Sequence, residues 1–97
     1  MDPLHSRTIY VAHIAPEEYH LFHAGMLPDL RLPPTYQEWQ GLTIRRHAAY
    51  QGDGYRTEAV FVSWKELCTH AKRARLPPAY ALLTAYAIYK AHKGDCL

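Results

Sequence analysis

The sequence predicts an α+β fold, a small two-stranded sheet packed by about four helices in the order β-α-α-β-α-α. Three observations lead there. Two short segments, TIYVAHI at 8–14 and the stretch 55–62 ending in Val60-Phe61-Val62, are dense in β-branched and aromatic residues. Between and after them, apolar residues recur at spacings of three and four. Prolines and capping residues stand where those periodic stretches begin. The chain has 97 residues, which supports one domain over 1–97 that buries roughly 65% of its unfolded surface.

Residues 1–6 read as a loose end, and 8–14 as a buried strand. Pro16 suits a first helical position, and Glu17 and Glu18 follow where the helix dipole favours negative charge. Tyr19, Phe22 and Met26 then share one face of a short helix of about nine residues, with Gly25 as its stop. A proline-rich connector fills 27–34. Thr35 and Glu38 form a T-x-x-E start for a longer helix over 36–51, although Gly41 and the pair Thr43-Ile44 weaken it. The rival is a short helix to Gly41 followed by a hairpin across Gly52-Asp53-Gly54.

After the second strand, Ser63 and Glu66 repeat the capping pattern. Trp64, Leu67, Cys68, Ala71 and Ala74 trace the apolar face of the clearest amphipathic helix. Leu76-Pro77-Pro78 breaks it, and a last helix is expected over 79–93 with Gly94 as its cap.

This arrangement resembles short uncharacterised proteins encoded in proteobacterial genomes and their mobile elements. The likeness rests on the T-x-x-E-W start at Thr35 to Trp39, the Val60-Phe61-Val62 strand and the Trp64 to Cys68 helix. It covers most of the chain and implies no activity.

Charge is uneven. The net value is +2, but residues 1–30 hold Asp2, Glu17, Glu18 and Asp29 against Arg7 alone. Lys65, Lys72, Arg73, Arg75, Lys90 and Lys93 face only Glu66 between 63 and 93. This is a mild basic face, short of what a dedicated nucleic-acid binder carries. Two cysteines make no disulfide framework, no apolar run spans a membrane and no signal segment is evident, so a cytoplasmic protein off the membrane is expected.

Candidate chemistry is sparse. Seven histidines include His20 and His23 at helical spacing, but no complete zinc or di-metal ligand pattern accompanies them, and no metal or cofactor is expected. Arg45, Arg46, His47 and Tyr50 form the one cluster that suggests catalysis, of the small-ribonuclease kind. Lys65, Lys72, Arg73 and Arg75 are candidate phosphate contacts. Arg31-Leu32-Pro33-Pro34-Thr35-Tyr36 recurs as Arg75-Leu76-Pro77-Pro78-Ala79-Tyr80, and each copy contains P-P-x-Y, the form of a WW-domain ligand. Both copies also sit where prolines would pre-set a helix.

The last helix is the most informative feature. Apolar residues wrap its whole circumference, which a small domain can hardly surround. Tyr80, Leu82, Leu83, Tyr86 and Tyr89 are therefore the expected partner-binding residues. The resulting expectation is a non-enzymatic protein-interaction module, acting as a homodimer, adaptor or inhibitor of a larger protein. The alternative is a weak, non-specific nucleic-acid binder using the basic face of 63–93, and the third a small ribonuclease-type toxin.

Overall fold

β1 (Thr8–His13) and β2 (Arg56–Phe61) pair in parallel, from Thr8 opposite Arg56 to His13 opposite Phe61. The structure, a computed structural model, describes residues 7–95, so the loose end expected at 1–6 and Cys96 lie outside the described residues. Parallel strands cannot be joined by a tight turn and need a crossover. Here the crossover holds a 3₁₀ turn (Pro16–Glu18), α1 (Tyr19–Gly25) and α2 (Tyr36–Gly52). After β2 come α3 (Trp64–Ala74) and α4 (Tyr80–Asp95), giving the expected order β-α-α-β-α-α.

Local signals account for most boundaries. Pro16 opens the first helical segment, although its first turn is 3₁₀, so α1 proper is shorter than the sequence suggests. Thr35 caps α2, its hydroxyl oxygen accepting from the Glu38 backbone N–H at 3.2 Å. Residues 36–52 are helical throughout, and the rival hairpin does not form. The β-branched Thr43 is tolerated inside α2 because it is buried and its hydroxyl donates to the Trp39 carbonyl at 2.9 Å. Ser63 and Glu66 form a complete capping box at α3, both bonds 3.1 Å. Gly94, expected as the cap of the last helix, instead lies inside α4.

Side chains alternate across the strands, so the sheet has two faces. On one, His13 and Thr57 meet α2 through His47 and Gln51. On the other, Ala12 and Val60 pack with the main core and Tyr10 meets His92 of α4. That core joins Ile14, Tyr19, Phe22, Met26, Trp39, Val62 and Leu67 to Tyr80, Leu83 and Ala87. The Tyr19 hydroxyl donates to the Pro33 carbonyl at 2.5 Å, and burial together with the nearby Glu38 raises its pKa to about 12.

α4 corrects the expectation drawn from it. Tyr80, Leu83 and Ala87 are buried within the chain itself, at i, i+3 and i+7 on one stripe. Tyr80 and Leu83 are thus core residues rather than contacts open to a partner. Ala81, Ala85, Ile88 and Tyr89 on the opposite side are exposed. The sheet edge is also less open than two bare strands suggest. Lys90 Nζ donates to the Phe61 carbonyl at 2.7 Å, and the short β2 carries exposed Arg56 and Glu58.

Gly25 ends α1 against the indole of Trp64, and a Cβ there would overlap Cζ2 and Cη2 of that ring. Gly25→Ala is expected to lower stability by about 1–3 kcal/mol, read as a lower denaturant midpoint at unchanged slope. Arg75, at the C-terminal end of α3, is the one described non-glycine residue with positive φ, at 58°. Arg75→Gly relieves that conformation and is expected to raise the same midpoint, by up to about 1 kcal/mol in stability.

Candidate functional site

The basic residues of α3 and the aromatic residues of α4 meet in one groove. Glu66 organises it. Its carboxylate closes the α3 capping box and accepts from Lys90 Nζ and from the Tyr86 hydroxyl, both at 3.0 Å. Burial pushes the Glu66 pKa up, but the bonds from Lys90, Ser63 and Tyr86 and the Lys90 charge outweigh it, so the carboxyl sits below its usual range. The Tyr86 hydroxyl is raised above its ordinary value, first by burial and then by its bond to Glu66. Both groups are therefore fixed as acceptor and donor at neutral pH.

Around that bond lies a groove of about 600 Å³, lined among others by Lys65, Thr69, His70, Arg73, Tyr86, Tyr89 and Lys93. The His70, Tyr86 and Tyr89 rings form a cluster, with centroids 4.9, 6.2 and 6.0 Å apart. A second, almost wholly apolar recess of about 360 Å³ lies along α4 between Leu76, Pro77, Ala79, Ala81, Leu82 and Ala85. On α4, Leu82, Ala85 and Tyr89 follow one another at three and four residues, so a single exposed stripe joins the two.

The structure thus brings Lys65 and Arg73 together with Tyr86 and Tyr89. Lys72 and Arg75 are exposed but do not line the groove, and Leu82, half-buried, lines the apolar recess instead. Sequence reasoning missed His70 as a member. No local signal marks it, because its ring contacts, Tyr86 and Tyr89, come from the other helix.

The cluster Arg45, Arg46, His47 and Tyr50 is split by the geometry of α2. Arg45 is exposed, His47 turns to His13, and Arg46 and Tyr50 line a separate cleft of about 230 Å³ beside β1. In that cleft the Arg46 guanidinium donates to the Tyr80 hydroxyl, and Arg31 lies 4.1 Å above the Tyr80 ring. The two P-P-x-Y stretches do not present free ligands. Tyr36 packs against Tyr19 and Trp39, and Tyr80 is buried.

Among the described residues, no three His, Cys, Asp or Glu side chains gather where they could hold a metal ion, and no helix is long and apolar enough to cross a membrane. The nearest approach to a ligand set is a pair, His13 and His47, whose Nε2 atoms are 2.9 Å apart. His20 and His23 are both exposed. No protein-family model matches the chain, and neither a curated protein nor a solved structure does.

The histidine pair gives a pH dependence with a defined sign. One ring must donate and the other accept, which two protonated imidazoles cannot do. Burial first, and the His47 charge second, hold the His13 pKa below 6.5. The unfolded chain then binds the proton more readily than the folded one. Stability is full above the unfolded value and falls as pH drops through it toward the folded pKa. Thermal midpoints are expected to be lower at pH 5.5 than at pH 7.5, with the gap narrowed in His13→Gln. A gap unchanged by that substitution would place its origin elsewhere.

Proposed function

We propose that the chain is a protein-interaction module that uses the α3/α4 face, pairing with a second copy of itself or seating on a larger protein. One observation carries this reading: Ala81, Ala85 and Tyr89 are exposed, and with half-buried Leu82 and exposed Leu76 and Pro77 they make one continuous apolar surface. Leu76 and Tyr89 each keep more than half of their surface in solvent, at 55% and 54%. Contiguous apolar patches of this kind mark association surfaces, whereas scattered apolar residues do not. The composition also fits. Alanines at 81 and 85 let another backbone approach closely, and tyrosine and arginine are the residue types over-represented at interface centres. Lys65, Arg73 and Lys93 beside the stripe supply a polar, cationic rim.

Light scattering at micromolar concentration is expected to show a mass above that of the monomer, and Ala85→Lys to return it to the monomer. Ala85 is exposed, so the substitution leaves the core intact. A monomeric parent protein would exclude pairing with itself and leave a different chain as the partner.

A second reading, weak binding to single-stranded nucleic acid, is favoured by the same groove, where Lys65, Arg73 and Lys93 flank Tyr86 and Tyr89. Cations along the backbone and rings for base stacking are what such binding requires. Retention on single-stranded DNA that weakens with salt and is lost in Lys65→Ala/Arg73→Ala would support it. Retention unaffected by those substitutions would count against it.

A further inference from the structure

We infer that the cleft at the outer edge of β1 is a binding site for a small organic carboxylate with a short apolar or aromatic body. The cleft lies on the side of β1 away from β2. Arg56 and Val62 donate their N–H groups to the carbonyls of Arg7 and His13, so the backbone polar groups of every second β1 residue face β2 and those of the residues between face the opposite edge. α2 supplies Arg46 and Tyr50 to its wall, α4 supplies Tyr80 and Thr84, and Arg31 reaches in from the connector. At about 230 Å³ it falls below the roughly 300–1,000 Å³ of sites for drug-sized ligands, which sets the ligand's size.

Charge sets its chemistry. Arg31 and Arg46 are held on the same ring, with their guanidinium carbons 4.1 and 5.5 Å from the Tyr80 centroid. Like charges gathered this way repel unless an anion lies between or beside them. Asp29 supplies one, its carboxylate accepting from the Arg31 Nε–H and Nη2–H at 2.9 and 2.8 Å, and its own pKa is held at about 2, chiefly by those bonds. Arg46 has no such partner. It donates to the Tyr80 hydroxyl and makes no ion pair among the described residues. Among the described residues, two guanidiniums against one carboxylate leave a single positive charge at the cleft.

The first turn of α4, which carries Tyr80, holds no acidic residue, so the positive end of that helix adds to the same field. A monoanion balances the site, and a planar carboxylate matches the two-pronged donor geometry of a guanidinium. Ile9 and Val11 with the rings of Tyr50 and Tyr80 provide apolar wall for a short hydrocarbon or aromatic body. This inference is independent of the α3/α4 reading, because neither the groove nor the recess on that face includes Arg31 or Arg46.

The test is a titration of the full chain with benzoate, followed by NMR at the Arg46 Nε–H and the amides of residues 9–12. Benzamide serves as the neutral counterpart of the same shape and inorganic phosphate as the competing oxyanion. Saturable shifts with benzoate, absent with benzamide, are expected. Arg46→Gln should weaken binding at least tenfold, and Arg73→Gln, in the other groove, should leave it unchanged. Arg46→Lys keeps a cation at the site but loses the two-pronged donor, so a several-fold loss is expected there even if the glutamine variant folds poorly. Equal shifts from benzoate and benzamide would overturn the proposal. So would unchanged affinity in both Arg46 variants, or phosphate binding more tightly than benzoate.

Discussion

Two strands paired in parallel have two faces and no turn to join them, and both facts bear on the rest of the chain. The crossover from β1 to β2 must be long, and it is here that α1 and α2 are made. Each face of a parallel sheet calls for a helix, although here β2 stays largely open, with Arg56, Glu58, Ala59 and Phe61 exposed. α2 takes the face of His13 and Thr57, and α4 takes the face of Tyr10, Ala12 and Val60. α4 is thereby committed to the sheet through Tyr80, Leu83 and Ala87. α3 docks beside it through the Glu66, Tyr86 and Lys90 bonds. No further described element remains to cover the far side of α4. The exposed stripe is thus a consequence of strand direction and element count.

The two helical layers are held in different ways. α4 meets the sheet with an ordinary apolar stripe, whereas the inward side of α2 is Trp39, Thr43, His47 and Tyr50, most of them polar at the tip. Such a layer is kept by directed bonds more than by area. Thr43 bonds back to Trp39, His47 to His13, Gln51 to Thr57, and Arg46 reaches round the β1 edge to Tyr80. The Trp39 indole N–H is buried without a partner among the described residues, a cost of about 1–3 kcal/mol that this aromatic cluster carries. Protonation of histidine therefore acts at the seam between α2 and the sheet, while the α4 side has its carboxylate already engaged by Lys90.

The sequence made the elements legible wherever a local signal exists. Ser63 and Glu66 gave the start of α3, Thr35 the start of α2, and the spacing of Tyr19, Phe22 and Met26 the buried side of α1. The strand direction was not legible, because alternation reads the same for either orientation. The buried side of α4 was hidden by its composition. Alanine carries almost no directional signal, and Ala87 is fully buried while Ala81 and Ala85 face solvent. Contacts between distant positions were out of reach altogether. His13 and His47 are separated by 34 positions, as are Arg46 and Tyr80. The run Arg45, Arg46, His47 and Tyr50 looked like one cluster only because it is contiguous, and a turn of helix distributes it over three surroundings.

The repeated hexapeptide shows most plainly how far context overrides local sequence. Both copies lead into a helix, and in both a proline carbonyl is used internally. Pro33 accepts from the Tyr19 hydroxyl, and Pro78 accepts from the Leu27 N–H at 2.9 Å. The leucines and arginines diverge. Leu32 is buried in the core, whereas Leu76, at the break between α3 and α4, stays 55% exposed even with α4 following it. Arg31 pairs with Asp29 and stacks on the Tyr80 ring of the other copy, while Arg75 is spent on the left-handed end of α3. The two copies thus build different surfaces from nearly the same residues. The first closes the wall of the β1 cleft, and the second leaves Leu76 and Pro77 continuous with Ala81, Leu82 and Ala85. What buries Leu32 in the first copy is the chain itself. Nothing among the described residues covers Leu76 in the same way, so the second copy, and not the first, lies on the face proposed above for association.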